Sequence, residues 1–224
     1  MVAYTRSCWR RCKKGTCVVN EADLIPLFPL RSVVFPGGRL SLQIFEQRYI
    51  DLVSHCMRTD TGFGICLLLK GDEMVQPGSQ QQVSRVGMYC KIVDWDKLPN
   101  GLLGITVEGL RKFTVMESWV GDNKLLMGSV RWEVEDFLGQ SILPLSDDHD
   151  GLVDLLKDLM AHPLIEELGV SMDFSDQRQL GWRLAELLPI PVHQKQQLLE
   201  INDTTERLRE IENLVVSMMQ HNNS

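Results

Sequence analysis

The side chains with most chemistry to offer are six cysteines, five histidines and one acidic cluster. Cys8, Cys12 and Cys17 are spaced C-x3-C-x4-C. Three thiolates could begin a zinc site, but a fourth ligand is wanting: the nearest histidine, His55, lies far along the chain. Cys56, Cys66 and Cys90 fall inside apolar runs and read as buried thiols. The histidines (His55, His149, His162, His193, His221) form neither H-x3-H nor H-E-x-x-H. His55 reads as packed on its helix, and His162 as standing at a helix C-terminus, where a partly positive imidazole is favourable. Asp147, Asp148 and Asp150 lack the loop spacing and glycine of a calcium site and suit the positive start of a helix. No phosphate-binding G-x-x-x-x-G-K-[ST] loop occurs, since Gly121-Asp122-Asn123-Lys124 has the wrong spacing, and there is no G-x-S-x-G elbow. The expectation is a chain that is not an enzyme, with no catalytic residue, no cofactor and no metal.

Binding residues are the remaining candidates. Trp95, Trp119 and Trp132 stand at or near the ends of alternating apolar runs, where a tryptophan serves either as a core lid or as a recognition anchor. Arg31, Phe35 and Pro36 border a bend that could line a groove. An exposed strand edge could accept an extended peptide through main-chain hydrogen bonds, a sequence-tolerant contact that suits unfolded chains. Glu46, Arg48 and Tyr49 sit where strand becomes helix. There Glu46 can accept backbone N–H groups and Arg48 can pair with a carboxylate, which makes these three a structural junction.

The elements that must position these residues follow from the patterning. In Leu24–Tyr49 the prolines at 26, 29 and 36 bar a continuous helix, so Leu24, Leu27, Leu30, Val33 and Phe35 must be buried along an extended, bending path. Pro36-Gly37-Gly38 gives a turn, and Leu40, Leu42 and Ile44 alternate inward against Ser41 and Gln43. Tyr49, Ile50, Val53 and Met57 then fall at helical spacing, predicting a helix over 46–58. The run 63–69 is a central strand. Residues 83–95 alternate Val86, Met88, Cys90 and Ile92 against Arg85, Gly87 and Lys91. Asn100-Gly101 marks a hairpin turn. Strands follow at 103–107, 111–119 after an interruption at Gly109, and 125–134. Such a meander around one helix favours a small mixed sheet closed into a partial barrel. From about 136 the texture turns helical: Leu152, Leu155, Leu156 and Leu159 share one face before Pro163. Ser175 caps a helix burying Leu180, Leu184, Leu187 and Leu188, a short helix covers 192–201, and Asp203-Thr204-Thr205-Glu206 opens a last helix with Leu208, Ile211, Leu214, Val215 and Met218.

At 224 residues, 44% hydrophobic and 24% charged, the chain can bury a core without disulfides and has the balance of an ordinary soluble protein. No apolar run reaches the ~20 residues that span a bilayer, so no membrane partner is expected. Residues 1–20 hold five cationic side chains and no acid, so the net charge of −7 becomes −12 over the rest. That excludes a general nucleic-acid binder, which needs a basic face. The start lacks a secretory apolar core, so a disordered basic arm and a cytoplasmic location are the expectation.

The block Pro26-Leu27-Phe28-Pro29-Leu30-Arg31, then Val33-Val34-Phe35-Pro36 and Ile44-Phe45-Glu46-Gln47-Arg48-Tyr49, resembles the opening of the Lon protease N-terminal (substrate-binding) domain family. Leu98-Pro99-Asn100-Gly101 followed by Ile105–Arg111, then Leu180–Leu188 with Pro191, Lys195–Glu200 and Asp203 with Glu206-Arg207-Leu208, extend the likeness over about 22–220. The resemblance implies an α+β fold: a mixed β-sheet or pseudobarrel (PUA-like) with one helix over 21–135, then a helical bundle over 136–224. Its family's protease needs ATPase and Ser-Lys modules, and this chain is expected to stand alone without them. What the resemblance implies for function is a non-enzymatic module that binds unfolded or tagged polypeptides and passes them to a separate protease or chaperone. A small-molecule or RNA-binding β-barrel module is the alternative.

Overall fold

The computed structural model describes residues 24–73, 81–133, 142–161 and 175–222. The basic stretch 1–20 with Cys8, Cys12 and Cys17, the loop at Pro77-Gly78, His162, Pro163 and the side chain of His221 lie outside the described residues.

Prolines in the first strand are tolerated because of how it is paired. β1 (Leu24–Leu30) ladders to β6 (Leu126–Trp132) through Leu24–Leu27 and to β3 (Phe63–Lys70) through Leu27–Leu30. Each half is thus bonded on one side, and the missing N–H groups of Pro26 and Pro29 can fall where no bond is required. The chain turns at 36–38 into β2 (Arg39–Ile44), whose Leu40, Leu42 and Ile44 turn inward as their spacing predicts. Helix α1 (Gln47–Thr59) follows, one residue from its expected bounds. Its buried face is Tyr49, Leu52, Val53 and Cys56, however, and Met57 is 46% exposed. The apolar residues of this helix run round more than one side, so spacing alone centred the stripe too far toward Ile50 and Met57.

β4 (Gln82–Lys97) and β5 (Leu103–Val120) are the long members of the sheet. The turn between them has the expected geometry: Gly101 sits at φ +82° and its N–H donates to the Leu98 carbonyl at 2.8 Å. β5 is continuous, not broken at Gly109, and its length closes the fold. One edge carries β4; the other carries β2 along 103–108 and then β6 along 113–120. Because β6 also pairs with β1, strands β1, β3, β4, β5 and β6 form a closed ring, with only β1–β3 parallel. The partial barrel expected from the sequence is therefore a closed one with β2 as an added strand.

A five-stranded ring is too narrow for a side chain at every inward position. Ile25, Leu27, Cys66, Phe113, Val115, Leu126 and Val130 form a cluster of their own inside it. Where Phe113 and Leu27 cross the lumen the facing positions are glycine: a Cβ on Gly64 or Gly87 would stand 2.6 Å from the Phe113 ring, and one on Gly128 2.8 Å from Leu27. Gly87, expected on an outer face, therefore lines the interior.

A 3-10 turn at Asp147–His149 leads into α2 (Asp150–Met160). The Ser146 N–H and hydroxyl both reach His149 Nδ1, so the acidic cluster stands at a helix start as expected. Asp176, not Ser175, caps α3 (Gln177–Leu187), accepting from the Arg178 N–H at 2.9 Å. α4 (Val192–Glu200) and α5 (Thr204–Asn222) complete the order, with the Asp203 carboxylate accepting from the Glu206 N–H at 2.8 Å. A second apolar cluster runs without a break from Phe28, Phe63 and Met88 on the sheet through Val34 and Phe35 to Leu180, Leu184, Leu198 and Leu208 on the helices. No helix among the described residues is long and apolar enough to cross a membrane.

Candidate protein-binding surface

The bend and the junction are structural. Arg31 is exposed and ties the end of β1 to the β3–β4 loop: its N–H donates to Glu73 (2.7 Å) and its guanidinium to the Gly71 carbonyl (2.9 Å). Phe35 is fully buried against Trp182, with ring centroids 5.8 Å apart. Pro36 is buried too, its carbonyl accepting from Arg183 at 3.2 Å. Neither lines an open groove, because the turn at 36–38 is pressed onto β5 and α3. At the junction, the Glu46 side chain does not cap α1; its backbone carbonyl accepts from the Tyr49 and Ile50 N–H groups. Its carboxylate instead takes both arms of Arg48, at 2.9 and 3.3 Å, and Arg48 reaches on to the Lys124 carbonyl. Arg48 also covers Tyr49, which stacks on Phe28 at 3.9 Å. Burial pushes the Tyr49 phenol up to about 12, so it is a packing group at neutral pH.

Two recesses lined by described residues border these elements. One of about 290 Å³ lies between the bend and α3, bordered by Val33, Arg39, Leu40, Met160 and Lys195. Within it burial raises the Glu186 carboxyl, opposed by Arg183, and burial lowers the Lys195 ammonium, opposed by Glu186. Two perturbed groups in one cleft could suggest a catalytic pair. Both are already bonded: Glu186 holds Arg183 and the Arg39 N–H, and Lys195 donates to the Glu186 carbonyl at 2.6 Å. They fasten α3 to the turn and to α4. The Arg-x-x-Glu spacing of 183 and 186 was the available sequence signal for this lock. The other recess, about 420 Å³, has Trp132 on its wall. That ring meets Tyr89 and Phe113 edge-on at 5.4 and 6.1 Å and lies under Arg111, as a half-buried lid. Among the described residues no group of three or more acids, histidines or cysteines could hold a metal ion.

Trp95 and Trp119 face outward. Trp95 is 58% exposed near the end of β4, beside Val93 at 47%. Trp119 is 37% exposed near the end of β5, beside Val120 at 67% and Met116 at 54%. Val93, Met116 and Val120 carry no signal in the sequence, because alternation does not tell a covered apolar face from an open one. These patches lie where the long strands outrun their partners. β3 pairs with β4 only as far as Cys90, and β4 pairs with β5 only as far as Thr114. Among the described residues β4 from Lys91 to Lys97 and β5 from Val115 to Val120 therefore each have one unpaired edge. Large apolar groups beside unpaired main chain can grip an extended polypeptide.

Comparison with known proteins agrees with this architecture. The family model described as the ATP-dependent protease La (LON) substrate-binding domain matches residues 24–217. The chain is 27% identical over 197 residues to Lon protease of Bacillus thuringiensis and 27% identical over 195 residues to Lon protease 1 of Bacillus subtilis. It covers 86% and 84% of itself in these matches but spans about a quarter (24%) of each of those proteins. A crystal structure of a Lon N-terminal domain protein from Xanthomonas campestris superposes with a TM-score of 0.67 at 34% identity, over 85% of this chain and 97% of that one. The N-terminal domain of a Mycobacterium avium complex Lon protease shares the fold at 19% identity, with a TM-score of 0.58 over 85% of this chain and 96% of that one. With the family model spanning the sheet and the helices alike, this chain belongs to the LON substrate-binding domain family.

Proposed function

We propose that this chain binds unfolded or tagged polypeptides in extended form along the exposed ends of its long strands and presents them to a separate protease or chaperone. The observation that carries this reading is the placement of Trp95 and Trp119, each exposed beside a strand edge that has no partner among the described residues and flanked by exposed aliphatic groups. The family's description as a substrate-binding domain points to the same class of partner. The proposed machinery is non-enzymatic, since the perturbed titratable groups of the cleft between the bend and α3 are spent on packing. The nucleic-acid alternative gains nothing from the cations at the sheet–helix boundary: Arg39 bonds Glu108, Arg48 bonds Glu46, and Arg183 bonds Glu186.

Binding of fluorescein-labelled lysozyme, reduced and carbamidomethylated so that it stays unfolded, tests the reading by anisotropy. Trp95→Ala and Trp119→Ala are each expected to weaken binding by about tenfold, the scale of a truncated interface tryptophan. Trp95 is largely exposed, so the Tm of its variant stays near that of the parent, whereas Trp119 keeps the greater part of its surface covered and its variant should melt somewhat lower, so binding is read well below that Tm. Full affinity in the double variant would remove the tryptophan patches from the account.

A further inference from the structure

The unpaired edge of β4 differs from a bare one. In an antiparallel strand alternate N–H groups point to the same edge. At Trp95 and Lys97 those donors are taken up by the preceding side chain: the Trp95 N–H donates to Asp94 Oδ1 at 2.8 Å, and the Lys97 N–H donates to Asp96 Oδ1 at 2.7 Å. Two carboxylates therefore lie along the line an added strand would occupy, and Trp95 is exposed on the opposite face of the same stretch, so a residue against Trp95 would have its two neighbours on the carboxylate side. Among the described residues the other charges along this stretch are compensated or face away from the two carboxylates. Lys91 is bonded to Asp60 (3.0 Å), Glu108 is bonded to Arg39 (2.9 Å), and Lys97, like Trp95, alternates to the face opposite Asp94 and Asp96.

A polypeptide adding here must replace the carboxylates as acceptors and lie against both negative charges. An acidic segment meets repulsion on top of that exchange. A segment with Lys or Arg at the matching positions turns the displaced carboxylates into ion pairs while its carbonyls take the freed N–H groups. We infer that the edge Lys91–Lys97 selects extended segments in which an apolar residue is flanked by basic ones, with Trp95 gripping the apolar residue and Asp94 and Asp96 reading the charge. This rests on the polypeptide-binding reading and adds the class of segment bound. The same carboxylates would keep two copies of this chain from pairing edge to edge, the usual hazard of an open strand.

The test uses the whole chain and two labelled, unstructured ten-residue peptides with one central Trp-Leu pair, flanked by lysines in one and by glutamates in the other. At 50 mM salt the lysine peptide is expected to bind about fivefold more tightly, the size of one to two exposed ion pairs, and the gap should close at 500 mM. Asp94→Asn with Asp96→Asn keeps a side-chain oxygen for each N–H but removes the charge. In that variant the two peptides should bind alike, with the Tm unchanged. Equal binding of both peptides to the parent chain, or discrimination that survives the double substitution, overturns the charge reading and leaves polypeptide binding standing. Binding of neither peptide overturns both.

Discussion

Lys112→Met is expected to destabilise the fold by about 3 kcal/mol and lower Tm by roughly 6–12 °C. Lys112 lies on β5 with only 4% of its surface exposed, and its ammonium bridges the sheet to the helices. It donates to the Leu199 carbonyl (3.2 Å), the Ile201 carbonyl (3.3 Å) and Asn202 Oδ1 (2.7 Å). Leu199 lies in the last turn of α4 and Ile201 follows its end, so the cation neutralises the negative end of that helix and supplies donors its last turn lacks. Methionine fills nearly the same volume, so the measured loss reports the bonds and not a cavity. Beside this contact, Gln196 of α4 donates to Ser84 (2.7 Å) and to the Val86 carbonyl (3.1 Å) on β4, and Arg207 of α5 lies 3.3 Å over the Trp182 ring. The Lys112 and Gln196 bonds cross the boundary between sheet and helices in both directions, the Arg207 contact ties two helices together, and the apolar cluster beneath them is shared. A single cooperative transition is therefore expected in parent and variant. A Tm change under 2 °C would mean that the lysine is replaceable.

Gly109→Ala is expected to cost about 3–5 kcal/mol, beyond the usual range for a single substitution. A Cβ there would stand 2.3 Å from the Phe35 carbonyl oxygen, 2.9 Å from Met88 and 3.0 Å from Val34. The first of these is backbone, so it cannot swing aside as a side-chain tip would. The 36–38 turn is held against this residue by two bonds, Gly37 N–H to the Gly109 carbonyl at 2.7 Å and Gly109 N–H to the Gly38 carbonyl at 2.9 Å. Relieving the contact would lift the turn and loosen the buried Phe35 and Pro36 with it. Gly151→Ala is the control: nothing lies within 4 Å of its would-be Cβ and it sits in a helix, so Tm should hold or rise slightly. Chemical denaturation of both variants checks the pair. Equal stabilities would show that the turn does not rest on β5.

The same glycine shows how far the sequence could be read. Its position in an alternating run was plain, and an interruption was a fair inference, because glycine weakens strands. What it admits is a turn seventy residues earlier in the chain, and no local pattern carries that pairing. The proline-bounded strand, the Asn-Gly hairpin, α1 and the helical stripe of α5 were legible because each depends on near neighbours. Closure of the ring was not, since it needs β6 to meet both β1 and β5, and periodicity names no partners. The candidate site divides in the same way. Glu46, Arg48 and Tyr49 stand together where β2 gives way to α1, and there the carboxylate pairs with Arg48 and does not cap. Trp95, Trp119 and Trp132 have the same kind of flanking sequence, yet only the first two are exposed, because β4 and β5 extend past their partners there. Phe35 and Pro36 are adjacent to a true bend but on its packed side.

Amide hydrogen exchange on the whole chain, with and without saturating carbamidomethylated lysozyme, tests the central claim most directly. The account predicts slowed exchange at residues 91–97 and 115–120, where main-chain donors lie beside Trp95 and Trp119, and little change within α2–α5. Protection confined to the helices, or none at either strand end while the client is bound, would contradict it.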